Sequence, residues 1–152
     1  MIRRLKNLGA SDLDLLDVYQ KQIRCTVEFA VPSWASNLKQ HEVRQIERVQ
    51  KAALAIIFEQ RYFDYENALK LSGLQSLASR RRTICLKFAK KAYKNPNYQH
   101  WFCDYPSISG IKTKSDKPCL KPVQARTGRF RESPIAYLTK LLNEDMTQSC
   151  GH

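Results

Sequence analysis

The sequence lacks any long apolar run, and no stretch approaches the roughly 20 apolar residues that a membrane-spanning helix requires. Its first six residues, Met1 to Lys6, include two arginines and no apolar core of the kind that a secretory signal needs. We therefore expect an intracellular protein with no membrane contact. The composition does not distinguish the nucleus from the cytoplasm.

Cysteine is sparse, and its five residues follow no close-pair spacing. An odd number of widely spaced cysteines favours free thiols in a reducing compartment. A zinc set could be assembled on paper from His100, Cys103, Cys119, Cys150 and His152, but these spacings match no knuckle or ribbon pattern. The sequence therefore predicts no metal and no cofactor in this chain.

Recognisable catalytic motifs are also missing. The chain contains no Gly-rich phosphate loop, no H-E-x-x-H and no G-x-S-x-G. Acidic residues are scarce in the C-terminal half, which excludes a two-metal carboxylate site there. The cluster of Asp12, Asp14 and Asp17 lies at a predicted helix start, where carboxylates stabilise the helix dipole. We expect no catalytic residue and no enzymatic activity from the isolated chain.

Positive charge, by contrast, is abundant, and its excess over negative charge lies in one block. Residues 76–131 carry 14 Lys and Arg against two acids, a net charge of +12 that equals the net charge of the whole chain. Residues 1–75 carry +2 and residues 132–152 carry −2. Such asymmetry favours a polyanionic partner, with nucleic acid ranked before an anionic membrane or a merely solvated surface.

The apolar pattern predicts an all-α protein, a small bundle of four to five helices with an extended basic loop and a short C-terminal helix. Helices are predicted over residues 2–8, from Ser11 to Pro32, and over 39–58, 65–72, 77–94 and 134–143. The predicted N-caps are Ser11, Asp64, Ser76 and Ser133. Three segments follow: a helical core at 1–96, a basic extended arm at 97–131, and a short helix with a frayed tail at 132–152.

Two finer predictions concern the helices of the core. Two adjacent apolar stripes run along the helix that begins at Ser11, which indicates a central and buried helix. In the next helix, Glu47 and Lys51 stand four residues apart in the order that favours an ion pair.

The helix at 77–94 separates its charges from its apolar residues. At about 100° per residue, Arg80 and the lysines 87, 90, 91 and 94 fall within roughly a third of the circumference. The residues Leu77, Ile84, Cys85, Phe88 and Ala92 occupy a different face. We expect a packed side and a cationic side along which a phosphate backbone lies. The candidate phosphate contacts are Arg80, Arg82, Lys87, Lys90, Lys91 and Lys94 in the helix, and Lys112, Lys114, Lys121, Arg126, Arg129 and Arg131 in the arm.

Two further features of the basic block leave alternatives open. Arg81 falls among the apolar positions. There it makes either a structural contact, which we favour, in the form of an ion pair with an acid such as Glu66 or a bond to helix-end carbonyls, or a phosphate contact at a helix junction. Trp101 and Phe102 either pack on the helical core, which we favour, or stack on unpaired bases.

Several stretches follow one another in a recognisable order. They include VEFAVPSW at 27–34, IERVQKAALAII at 46–57, YENAL at 65–69, CLKFAKK at 85–91 and RFRESPIAYLTKLLN at 129–143. The series resembles the thumb and post-thumb region at the C-terminal end of reverse transcriptases from non-LTR retrotransposons of the LINE and jockey-like type. The resemblance covers the chain from about Arg3 to Asn143. Its specificity lies in the shared order, since no single stretch is distinctive.

The resemblance implies a parent RNA-directed DNA polymerase that uses Mg²⁺ and whose catalytic acids lie in an upstream palm. This sequence contains no Tyr-Ala-Asp-Asp-type box, so no catalytic residue is carried over. What the resemblance implies here is a segment that binds RNA or an RNA–DNA template–primer duplex, with the missing palm as a further candidate partner. The rival interpretations are a helical protein-interaction module, an inert relic of a retrotransposon, and an independent enzyme.

Overall fold

The computed structural model describes residues 1–102, 120, 121, 123 and 126–149. Within these ranges the chain is helical and contains no strand, which confirms the predicted all-α class. The α-helices are α1 (Ile2–Asn7), α2 (Asp12–Val18), α3 (Cys25–Val27), α4 (Val31–Trp34), α5 (Gln40–Phe58), α6 (Tyr65–Ser72), α7 (Leu77–Lys94), α8 (Gly128–Arg131) and α9 (Pro134–Ser149). A π-helical stretch, Tyr19–Arg24, joins α2 to α3, and 3₁₀ turns cover Ala35–Asn37, Glu59–Arg61 and Gln99–Trp101.

The chain forms two compact units. The first unit comprises Met1–Val31 and Leu38–Arg82, and the second comprises Pro32–Asn37 and Thr83–His152. The boundary at Arg82 falls inside α7. The three segments that the sequence suggests, at 1–96, 97–131 and 132–152, stay a prediction.

The helix starts confirm the predicted cap residues. The Ser11 hydroxyl accepts the Asp14 backbone N–H at 3.2 Å, and the Asp14 carboxylate accepts the Ser11 N–H at 3.3 Å, which completes a capping box. The Asp64 carboxylate accepts an N–H of the first turn of α6 at 2.5 Å, and Gly73 ends that helix at a φ of +64°. Equivalent side-chain caps are made by Ser76 at α7 and by Ser133 at α9.

The prediction of a helix from Ser11 to Pro32 is wrong about where the helix ends and about how much of it is buried. The helical path through α2, the π-helical stretch and α3 ends at Val27, because the chain turns out of the helix before Ala30, which has a φ of +50°. Pro32 therefore does not end this helix but lies in the first turn of α4, where its missing N–H is tolerated.

Burial along this helical path is confined to its first half. Leu15, Leu16 and Tyr19 are buried, whereas Leu13 is 79% exposed and Phe29 is 78% exposed. The two apolar stripes on the sequence therefore overstate how much of the helix is covered. The buried residues come from both stripes, and the later positions of each stripe are partly or fully exposed.

The core of the first unit is built from one apolar face each of α1, α2, α5 and α6. Its buried members are Ile2, Leu15, Leu16, Tyr19, Ala53, Leu54, Ile57, Phe58 and Ala68. Those of α5 recur at helical spacing, as an amphipathic helix requires. Burial of each large aliphatic side chain stabilises the unit by about 1.5–3 kcal/mol.

A buried amide connects three parts of the first unit. Gln50 of α5 is fully buried; its Oε1 accepts the Tyr19 hydroxyl at 2.8 Å, and its Nε2 donates to the Gln75 carbonyl at 2.9 Å. Loss of either partner leaves a buried polar group unpaired, at a cost of about 1–3 kcal/mol. Gln50 therefore fixes the π-helical stretch and the residues before α7 against α5.

One turn earlier on α5, Glu47 caps the start of α7. Its carboxylate accepts the Leu77 and Ala78 backbone N–H groups at 3.1 and 3.2 Å, and it also accepts the Tyr65 hydroxyl. A carboxylate at a helix N-terminus satisfies N–H groups that have no partner within the helix and interacts favourably with the dipole. The predicted ion pair with Lys51 is replaced by this cap, and the Lys51 ammonium lies 5.0 Å from the Tyr65 ring centroid.

The opposite end of α5 is held by α1. The Lys6 ammonium donates to the Ile56 and Ile57 carbonyls at 2.7 and 2.5 Å and lies 3.4 Å from the Glu59 carboxylate. A cation is favourable here because the last carbonyls of a helix carry partial negative charge. The chain then leaves α5 through Glu59, whose φ is +39°.

The second unit buries one face of α7 and one of α9. The α7 face carries Cys85, Ala89 and Ala92, and the α9 face carries Leu138, Leu141 and Leu142. Phe88, which the sequence assigns to the packed face of α7, is 39% exposed. The small Ala89 occupies a buried position one residue further along the helix.

The C-terminal part of the chain is more helical than the sequence predicts. The last helix continues to Ser149, past the predicted end at Asn143. The Asn143 side chain accepts the Leu120 N–H at 2.7 Å and donates to the Leu120 carbonyl at 2.9 Å, an anchor that no local pattern reveals. In the predicted extended arm, the short α8 starts at a Thr127 cap and is too brief to leave a periodic signal.

Replacing Glu47 tests its role as the cap of α7. Glu47→Ala removes charge-assisted hydrogen bonds and should lower the free energy of unfolding by about 1.5–3 kcal/mol. Denaturant titration of the full chain measures this change. The control Glu66→Gln alters an exposed acid in the first turn of α6 and should cost less than about 1 kcal/mol. Equal losses in both variants would contradict the capping role.

Stability should fall in alkaline solution because two tyrosines resist ionisation. Burial, followed by the hydrogen bond to Glu47, raises the pKa of Tyr65, and burial raises the pKa of Tyr19. The folded chain keeps protons that the unfolded chain releases, so this stabilisation is complete below about pH 10 and decreases as the pH rises further. The free energy of unfolding, measured from about pH 8 to 12, should decrease less steeply in the Tyr19→Phe and Tyr65→Phe variants. An unchanged slope in the double variant would refute this.

Candidate nucleic-acid interface

The C-terminal half of α7 presents a line of exposed cations. These are Lys87, Lys90, Lys91 and Lys94, which we call the lysine strip. Spacings of three, four and seven residues place them along one side of the helix. The buried Cys85, Ala89 and Ala92 occupy the other side. The predicted separation of a packed side from a cationic side is therefore present in this half of the helix.

One member of the lysine strip has an acidic neighbour. The Lys90 ammonium lies 2.7 Å from the Asp145 carboxylate of α9, and the two side chains are 50% and 27% exposed. An ion pair with this exposure contributes only about 0–1 kcal/mol to stability, and a polyanion can compete with it. Asp145 therefore neutralises part of the positive charge of the lysine strip and leaves the strip accessible to a polyanion.

Arg80, which the helical wheel groups with these lysines, is paired with an acid of the first unit. Its guanidinium forms two hydrogen bonds with the Glu28 carboxylate, from Nε to Oε1 at 2.5 Å and from Nη2 to Oε2 at 2.9 Å. The hydrogen bond to Glu28 raises the pKa of Arg80. The pairing occupies the Nε and Nη2 edge of the guanidinium, and whether its remaining N–H groups contact a phosphate stays a prediction. The sequence could not reveal this pair, since its members stand 52 residues apart.

The neighbouring arginines are placed differently. Arg81 is buried, 8% exposed, as its position among apolar residues predicts. Arg82 is exposed but does not share the helical spacing of the lysine strip. Neither arginine therefore extends the strip.

The basic arm is described only in part. Lys121, Arg126, Arg129 and Arg131 are exposed, and the last two lie on α8. Lys112 and Lys114 lie outside the described residues. The anchoring of Leu120 by Asn143 fixes the backbone beside Lys121. These four cations are accessible, and whether they contact nucleic acid stays a prediction.

A group of rings follows the lysine strip along the chain. Tyr98 and Trp101 lie with ring centroids 4.9 Å apart at an angle of 47°, and the His100 and Trp101 centroids are 6.1 Å apart. Tyr98 is 42% exposed, and Trp101 is partly exposed. Phe102, in contrast, is 5% exposed and meets the Tyr93 ring edge-on at 5.9 Å. Core packing is therefore confirmed for Phe102. Trp101 instead belongs to a group of rings with Tyr98 and His100 that was not predicted from the sequence.

Among the described residues, neither a cluster of metal ligands nor a membrane-spanning helix is present. No three His, Cys, Asp or Glu side chains in this part of the chain lie close enough to hold a metal ion. Most of the hypothetical zinc ligands named from the sequence, Cys103, Cys119, Cys150 and His152, lie outside the described residues. None of the helices described is both long and apolar enough to cross a membrane.

Comparisons with family models, with curated proteins and with solved structures each found no match. The resemblance to non-LTR reverse transcriptases therefore stays a prediction. It depends on the order of the stretches quoted above. The properties of the lysine strip do not depend on it, since they follow from the exposure and spacing of its side chains.

Proposed function

We propose that this chain is a non-catalytic segment of the reverse transcriptase of a mobile element and that it binds RNA or an RNA–DNA template–primer duplex. The lysine strip carries the binding through contacts to phosphate oxygens. The single observation that supports this most directly is the alignment of four exposed lysines on one side of α7. The sequence resemblance supports the assignment to a reverse transcriptase.

Helix stability does not account for the whole strip. Lys91 and Lys94 lie in the last turn of α7, where cations interact favourably with the helix dipole. Lys87 and Lys90 lie further from the end, and like charges three or four residues apart repel by a few tenths of a kcal/mol, about 0.2–0.5 per pair. A polyanion bound along the strip relieves this repulsion.

The length of the strip suits a short run of phosphates. Residues 87–94 span about 10 Å of helix axis, and phosphates of one strand follow one another at about 3.4 Å of duplex axis. The strip therefore reaches roughly three phosphates. Contacts of this kind give affinity and position with little sequence readout. Magnesium and the chemical step belong, in this proposal, to the palm of the parent polymerase.

Neutralising the strip should weaken binding and its dependence on salt. The triple variant Lys87→Gln, Lys91→Gln and Lys94→Gln loses three phosphate partners. The slope of log affinity against log salt should therefore become less steep by roughly 2–3. Fluorescence anisotropy with a labelled RNA–DNA duplex, titrated from about 50 to 200 mM salt, measures both effects.

A matched control removes the same charge elsewhere. Arg44, Arg48 and Lys70 are exposed residues of the first unit, and their replacement by Gln lowers the net charge by the same amount. This control should bind nearly as the parent chain does. Equal weakening in both triple variants would mean that net charge, not the strip, governs binding.

Removing the acid beside the strip should have the opposite effect. Asp145→Asn abolishes the ion pair with Lys90 and should raise affinity for the duplex by roughly two- to fivefold at low salt, as an exposed pair of up to about 1 kcal/mol allows. The control Glu132→Gln removes an exposed acid outside α9. An identical gain in both variants would contradict a specific role for Asp145.

A protein-interaction module is the second candidate, and exposed apolar side chains of the first unit favour it. Leu8, Leu13, Phe29 and Phe63 are between 78% and 85% exposed. Large exposed apolar residues mark protein contacts when they are contiguous. Sedimentation that detects a stable oligomer, together with no salt-dependent binding of nucleic acid, would favour this candidate over the first.

A further inference from the structure

We infer that Tyr98, His100 and Trp101 form a stacking platform for unpaired bases, so that the interface binds single-stranded nucleic acid in preference to a continuous duplex. The inference rests on the proposed function, because the lysine strip supplies the phosphate contacts beside the platform. It goes further by naming which form of nucleic acid is selected and by which side chains.

The rings are accessible to a ligand. Tyr98 is 42% exposed, and His100 is exposed as well. Tyr98 and Trp101 touch at a tilt of 47°, which leaves them neither stacked face to face nor buried in the core. A solvent-exposed aromatic ring can stack on the flat face of a base, and such stacking does not depend on the nucleotide sequence.

The backbone holds the rings close to the end of the lysine strip. The Asn95 carbonyl accepts the Tyr98 and Gln99 N–H groups, each at 3.0 Å, and the Tyr98 carbonyl accepts the Trp101 N–H at 3.0 Å. The buried Phe102 then anchors the chain directly after the platform. Because Tyr98 lies only four positions after Lys94, the chain allows at most about 14 Å between their Cα atoms.

Charge and rings together favour one class of ligand. A duplex offers phosphates to the lysine strip, but its bases are stacked on one another and paired, so the rings gain nothing from it. A single strand offers phosphates and free base faces at the same time. The platform therefore adds affinity only for unpaired nucleotides.

The test compares strands that differ only in their bases. The probes are a thymidine strand of about twelve nucleotides and an abasic deoxyribose phosphate strand of the same length, a length within the range that single-strand sites cover. The full chain carries two tryptophans, so Trp34→Phe leaves Trp101 as the only reporter. We expect the thymidine strand to quench Trp101 fluorescence and the abasic strand to leave it unchanged.

Substitutions then measure the contribution of the rings. Tyr98→Leu and Trp101→Leu should each weaken binding of the thymidine strand roughly tenfold and leave binding of the abasic strand unchanged. The control Phe63→Leu replaces an aromatic ring of the first unit that is 85% exposed, and it should bind both strands as the parent chain does. If Trp101→Leu loses its helical circular dichroism, Tyr98→Leu and the quenching of Trp101 still decide the question.

The possible failures are distinguishable. Equal, salt-dependent binding of both strands with no quenching would overturn the stacking platform and leave the phosphate-binding function intact. No salt-dependent binding of either strand or of the labelled RNA–DNA duplex would overturn the proposed function, and the platform with it.

Discussion

The start of α7 depends on a carboxylate supplied by α5. Glu47 accepts two N–H groups of α7, and Gln50, one turn further along α5, holds the Gln75 carbonyl that precedes the helix. A long helix with seven basic side chains needs such a start, because repulsion between its lysines and arginines opposes helix formation. The same α5 side chains pair with Tyr19 and Tyr65, so the cap of the basic helix and the interior of the first unit are one hydrogen-bonded system.

Not every cation of the basic block has the same role. The Arg80 guanidinium is held by Glu28, Arg81 is buried, and Lys90 is paired in part with Asp145. The charge that a polyanion would meet is therefore smaller than the net charge of the block, and within α7 it is concentrated in the second half of the helix. This division explains why net charge alone is a poor guide to a contact surface: burial and pairing decide which charges are accessible.

The sequence predicts features whose causes are local. Caps at Ser11 and Asp64 and the stop at Gly73 follow from side chains that contact their own turn, and the alternation of lysines with small residues in α7 follows from helical periodicity. It misses features whose causes lie far along the chain. Glu28 is 52 residues from Arg80, and Asn143 is 23 residues from Leu120. No single-sequence pattern reports such contacts, and for this reason the pairing of Arg80 and the ring contact of Tyr98 are visible only in the structure.

The two parts of the candidate interface respond to different physical conditions. Binding through the lysine strip releases counterions and therefore weakens as salt rises, whereas base stacking on Tyr98 and Trp101 involves no net charge and should persist. At low salt the strip dominates, and single and double strands bind with similar strength. As salt rises the strip contributes less, and the rings decide which strand remains bound. Preference for single strands should therefore increase with ionic strength, which follows only if both parts act on the same ligand.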